Sequence, residues 1–161
     1  MQKITPFLWL NDQAEEAAEF YTSIFRDSRI LNVTRSEASD KMSGRPAGTA
    51  MTVAFQIGGQ EFIALNGGPT YSITPAISFV VNCADQQEVD YYWEKLTQGG
   101  GQEVQCGWLT DKYGLSWQVV PAMLWDLLHD PDHTRCERVM AALLPMKKID
   151  IAGLERAASN A

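Results

Sequence analysis

Histidine is nearly missing from this chain: of 161 residues only His129 and His133 are histidine, at i and i+4 with Pro131 between them. A proline there breaks a regular helix through both, so the pair reads as a polar loop before a helix rather than two ligands on one helix face. Cysteine is equally thin. Cys83, Cys106 and Cys136 form an odd set without a CxxC, which argues against a disulfide framework and against a zinc cluster. Positive charge is short as well: 13 Lys and Arg face 20 Asp and Glu, a net charge of −7. Lys147-Lys148 stands alone as a basic pair, so nucleic acid and anionic membrane are not expected partners. No apolar run has the length of a membrane span, and the apolar stretch near the N-terminus is too short for a signal peptide. A cytoplasmic protein is expected. Gly99-Gly100-Gly101 follows a helix-like stretch instead of opening one, and no GK[ST] comes after it. It is therefore neither a phosphate loop nor a dinucleotide or methyl-donor fingerprint, and no cofactor is expected.

What is present is a duplication. Ile4-Thr5-Pro6-Phe7-Leu8-Trp9-Leu10 leads into Asp12-Gln13-Ala14-Glu15, and Ile77 to Asn82 leads into Asp85-Gln86-Gln87-Glu88. At a constant offset of 73 residues Ile4/Ile77, Asp12/Asp85, Gln13/Gln86 and Glu15/Glu88 are identical. The length suits one domain, 1–161, and the 45% hydrophobic content suits an ordinary globular core. Within it we read module one as 1–69, module two as 70–121 and a helical tail as 122–161.

Each module reads as β-α-β-β-β. Residues 4–10 are a short apolar strand, and Asp12 with Glu15 three residues on resembles a capping box. Ala14, Ala17, Ala18, Tyr21, Ile24 and Phe25 then share one helical face. Strands are predicted over 29–35, 49–57 and 61–65, with Gly58-Gly59 as a hairpin turn. Module two repeats the order: strand 77–82, helix 86–97, strands near 102–106, 108–110 and 115–120. Helices are predicted over 122–128, 132–144 and 151–159. One helix followed by three hairpin-connected strands gives a mixed, mostly antiparallel sheet, and the class is α+β.

Four local signatures carry a family likeness: Leu65-Asn66-Gly67-Gly68-Pro69, Asp85 to Trp93, Cys106-Gly107-Trp108-Leu109 and Tyr113 to Pro121. With the paired βαβββ modules they resemble the vicinal oxygen chelate superfamily of glyoxalases, extradiol dioxygenases and fosfomycin- and bleomycin-resistance proteins. The nearer likeness is to its PhnB-like branch, part of which is labelled 3-demethylubiquinone-9 3-methyltransferase. The resemblance implies a curled sheet around a cleft, often in a homodimer. It also implies a metal in many relatives, held by ligands that project here onto Thr5, Ser78, Gln118 and a position among Ile63, Ala64, Leu65 and Asn66. None of these is His, Asp or Glu, and neutral hydroxyl and amide oxygens hold transition metals and hard cations poorly. A metal-free cleft is therefore expected.

Strand alternation places Thr5, Phe7 and Trp9 on one face, Ser78, Val80 and Asn82 on another, and Ser116, Gln118 and Val120 on a third. We predict ligand-binding residues Thr5, Phe7, Trp9, Asn66, Ser78, Cys106, Trp108 and Gln118, suited to a small, partly aromatic organic molecule. Phe7 and Trp9 read equally as core or dimer-interface residues. Cys106 reads as a buried inert thiol or as a nucleophile, although Lys112 is the nearest cation in its hairpin. Asp111 to Gly114 reads mainly as a turn, and Asp111 or Tyr113 in proton transfer is the lesser reading. Ser36 to Gly48 reads as a lid or as a plain connector. Three functions stay open: a small-molecule-binding module, an enzyme of the same superfamily (a methyltransferase being disfavoured by the missing motif) and a scaffolding dimer.

Overall fold

A computed structural model describes residues 2–37 and 45–159. They divide into two compact units, one up to Ile73 and one from Thr74. The first contains β1 (Phe7–Leu10), α1 (Ala14–Ile24), β2 (Arg29–Arg35), β3 (Ala50–Ile57) and β4 (Gln60–Asn66). The second contains β5 (Ser78–Cys83), α2 (Gln86–Thr97), β6 (Gln102–Glu103), β7 (Trp108–Thr110) and β8 (Ser116–Pro121), then α3 (Met123–Leu128), α4 (His133–Leu143) and α5 (Ile151–Ser159).

The two units have one topology. Their four-stranded sheets run β1-β4-β3-β2 and β5-β8-β7-β6, so in each the first strand lies at an edge beside the last. That pair is parallel and the other pairs are antiparallel. The class is α+β as expected, with the strands in two separate mixed sheets. None of the described helices is long and apolar enough to cross a membrane.

In the first unit α1 lays Ala14, Ala17, Ala18, Tyr21 and Ile24 on the sheet. The small alanines let the helix approach closely, and Tyr21, Phe55 and Phe62 stack in sequence at 6.0 and 5.5 Å. Burying each such ring contributes roughly 1.5–3 kcal/mol. The opposite sheet face carries Phe7 opposite Ile63 and Trp9 opposite Leu65.

The strand expected from residue 4 begins at Phe7. Pro6 has no N–H to offer a ladder, and the side-chain amide of Gln2 takes the place of strand backbone there. Its Nε2 donates to Glu61 O at 3.1 Å and its Oε1 accepts from Glu61 N–H at 3.1 Å. The cap expected at Asp12 is also different. The N-cap is Gln13, without a side-chain capping bond, and the N–H of Ala14 donates to Asn66 Oδ1 at 2.8 Å. Glu15 turns to Arg35 in an ion pair of 2.6 Å. In the second unit the same Asp-x-x-Glu pattern does cap its helix. Asp85 Oδ1 accepts from Glu88 N–H at 2.9 Å and Glu88 Oε2 accepts from Ala84 N–H at 2.8 Å.

On the second sheet, α2 buries Val89, Trp93 and Leu96. The tail forms its own core of Leu124, Leu127, Val139, Leu143, Ile149, Leu154 and Ala158 around Val120 of β8. Gln86 ties α5 down: its Nε2 donates to Ile149 O at 3.0 Å and its Oε1 accepts from Ile151 N–H at 2.8 Å. Strand β6 stops at Glu103 because Gln105 to Trp108 is a tight turn, closed by Trp108 N–H on Gln105 O at 3.1 Å. Its central residues, Cys106 at φ 59° and Gly107 at φ 81°, are both left-handed, the pattern of a type I′ hairpin turn.

Candidate functional site

The predicted residues fall into groups, each within one unit. On the second sheet, register sets Ser78 beside Ser116 and Ser116 beside Thr110, a row of three hydroxyl residues across three strands. The next row is Val80, Gln118 and Trp108. Residues opposite one another in a ladder share a face, so Ser78, Gln118 and Trp108 lie on one face of this sheet. Gln118 Nε2 donates to Ser78 Oγ at 2.9 Å. Ser116 Oγ is buried without a hydrogen-bond partner. Val80 is 41% exposed, and Trp108 and Gln118 are half-buried. The other face carries Phe79, Leu109, Trp117 and Val119 toward α2.

Cys106 stands apart from that group. Its turn is pinned to the segment before α5, with Cys106 N–H on Met146 O at 2.7 Å and Gly107 N–H on Lys147 O at 2.8 Å. Its Sγ lies 3.6 Å from Leu144 O. Cys83 is buried, and burial first, then Glu88 and Asp85, pushes its thiol up to about 12.

In the first unit Thr5 precedes β1, and its Oγ1 lies 3.5 Å from Gln2 Nε2. Phe7 is 57% exposed. Asn66 has both amide functions committed to backbone, Oδ1 to Ala14 N–H and Nδ2 to Ala50 O at 2.9 Å. It locks the start of α1 to the ends of β3 and β4. Trp9 is enclosed by the chain after β4. Its Nε1 donates to Gly68 O at 2.9 Å, and Tyr71 meets it edge-on at 4.9 Å. Gly67 lies against the indole so closely that a Cβ would fall 2.3–2.6 Å from three ring carbons.

Beside Trp9 is a cavity of about 840 Å³, lined also by Asp12, Arg45, Thr49, Gly67 and Gly68. The guanidinium of Arg45 donates to the carbonyls of Asn66 and Asn11. Sequence reasoning missed Asp12 as a lining residue and reached Arg45 only as part of the 36–48 loop; the Gly67-Gly68 pair was the available signal of close backbone approach. The reading of 36–48 as a lid falls mainly on 38–44, outside the described residues.

The donors at the projected metal positions are neutral, and Ser78 and Gln118 bond each other. Among the described residues no three His, Cys, Asp or Glu side chains gather as a ligand shell. His129 caps the end of α3 and His133 opens α4, so the two histidines belong to different helices. This donor set does not fit a transition metal.

The model of the 3-demethylubiquinone-9 3-methyltransferase family matches residues 2–120. The chain belongs to that family. A solved relative is described as a putative 3-demethylubiquinone-9 3-methyltransferase, PhnB protein, from Bacillus cereus. It is 36% identical, with 75% of this chain and 100% of that chain covered at a TM-score of 0.67. The fold is also similar to that of the fosfomycin resistance protein FosX from Listeria monocytogenes (15% identity, 80% and 98% covered, TM-score 0.55). FosX from Mesorhizobium loti gives 14% identity, 81% and 100% covered, and a TM-score of 0.55. No curated protein matches the chain. This member of the 3-demethylubiquinone-9 3-methyltransferase family thus shares the vicinal oxygen chelate fold, as its sequence signatures implied.

Proposed function

We propose that the protein binds a small, neutral, partly aromatic organic molecule, without a transition metal, on the β5-β8-β7 sheet face. The hydrogen bond from Gln118 Nε2 to Ser78 Oγ at 2.9 Å carries this reading. Because Ser78 accepts there, its own O–H is left to donate, and Gln118 Oε1 remains an acceptor. A donor and an acceptor side by side match an amide, a hydroxyketone or a similar neutral group. Ser116 Oγ beneath them lacks a partner, and such buried groups normally have one. Trp108 and Val80 supply the apolar surface beside it.

The family's methyltransferase label is not the function we propose. The turns from β1 to α1 and from β5 to α2 are Asn11-Asp12-Gln13 and Ala84-Asp85, and β8 passes into α3 through Ala122, without a glycine. None is the glycine-rich strand-to-helix turn that a nucleoside-bearing methyl donor favours. A melting screen of neutral amides and hydroxyketones, with S-adenosylmethionine included, tests both points. A ligand at a hundred times its Kd should stabilise by about 2.7 kcal/mol, a rise of several degrees. The rise should vanish in Gln118→Ala, and S-adenosylmethionine should give none. Ligands whose shift survives Gln118→Ala, or a saturable shift with S-adenosylmethionine, would contradict the proposal.

A further inference from the structure

We infer that the cavity beside Trp9 is a second binding site, built for a small organic carboxylate with an aromatic or ring-shaped body. It lies wholly among residues of the first unit and does not rest on the function proposed for the β5-β8-β7 face. Its volume of about 840 Å³ is within the roughly 300–1,000 Å³ typical of small-ligand pockets.

Arg45 supplies the positive charge in this lining. Its guanidinium is held by two backbone carbonyls, those of Asn66 and Asn11. Carbonyls orient a cation without cancelling its charge. Among the described residues Arg45 makes no ion pair, in contrast to Arg35, Arg135 and Arg156. Arg45 is also half-buried, where its field is less screened than at an open surface. A guanidinium has five N–H donors in a fixed fork, so donors remain after the carbonyls are served. That fork matches a carboxylate in two-point contact. An oriented cation that pairs with no carboxylate among the described residues, on a chain of net charge −7, is a local reversal of sign with a wall beside it.

The wall is apolar and rigid. The Trp9 indole is fixed by its bond to Gly68 O, by the edge of Tyr71 and by contact with Gly67. Pro46 and Pro69 line the same cavity. Asp12 is exposed in the lining, where it opposes an anion and weakens binding without abolishing it.

The test is calorimetric titration of the full chain with benzoate and with its neutral counterpart benzamide. Benzoate should bind saturably and about tenfold more tightly than benzamide, the difference one charge-assisted contact supplies. Arg45→Gln should erase that preference, and Arg45→Lys should retain part of it. If Arg45→Gln fails to fold, Asp12→Asn still decides: removing the exposed carboxylate should tighten benzoate a few-fold. Absent benzoate binding, equal affinity for benzamide, a preference that survives Arg45→Gln, or weaker benzoate binding in Asp12→Asn would each overturn the inference.

Discussion

Asp111→Ala should lower the melting temperature by about 12 °C, the loss of roughly 4 kcal/mol for a chain of this size. Asp111 is 3% exposed. Its Oδ1 accepts from the N–H groups of Tyr113 and Leu115 at 2.8 and 3.1 Å, and its Oδ2 accepts from Trp117 Nε1 at 2.8 Å. One carboxylate thus closes the β7–β8 loop and fixes the largest side chain of β8 in the core. Alanine leaves two backbone donors and an indole donor facing a void, and an unmade buried bond costs more than a formed one contributes. Asp111→Asn should cost about half as much, because its oxygen can still serve the loop while its NH₂ confronts the indole N–H. Thermal unfolding followed by near-UV dichroism checks the order wild type, Asn, Ala. An Asn variant that melts with the wild type would show that Trp117 does not depend on the bond, and equal melting of the Asn and Ala variants would show that the two loop bonds contribute nothing.

Gly67→Ala should cost about 3 kcal/mol, or close to 10 °C. The added methyl would fall within 2.3–2.6 Å of the Trp9 ring. Neither side can easily yield. The indole is tied to Gly68 O, and Gly67 N–H donates to Leu10 O at 2.8 Å across the end of β1. The two residues should therefore be coupled: Gly67→Ala combined with Trp9→Leu should be no less stable than Gly67→Ala alone. Denaturant melts of the two single variants and the double variant measure this, and simple addition of the two losses would refute the contact.

Much of the architecture was legible because it is written in local periods. The alternation over 49–57 and the spacing of Ala14, Ala17, Ala18 and Tyr21 need no distant partner to be read, and the duplicated order announced two equal modules. The site was legible only in part. Alternation put Ser78 and Gln118 on mixed faces, but the register that joins them to Trp108 is a property of the folded sheet. The two Asp-x-x-Glu repeats show where local reading stops. Asp85 and Glu88 form the box, whereas the same residues in the first copy lose to partners that arrive from afar, Asn66 for the Ala14 N–H and Arg35 for Glu15. Arg45 was hidden for a similar reason, since a side chain that serves distant backbone looks, in sequence, like any loop charge, and Asp111 was read as a turn residue without its bond to the Trp117 indole.

The Ser78–Gln118 face offers neutral oxygens, and on our proposal it holds no transition metal. Equilibrium dialysis of the purified full chain against zinc, manganese and nickel, with metal counted per chain, tests it most directly. None of the three should be retained stoichiometrically, in the wild type or in Gln118→Ala. One metal retained per chain in the wild type and lost in Gln118→Ala would contradict it.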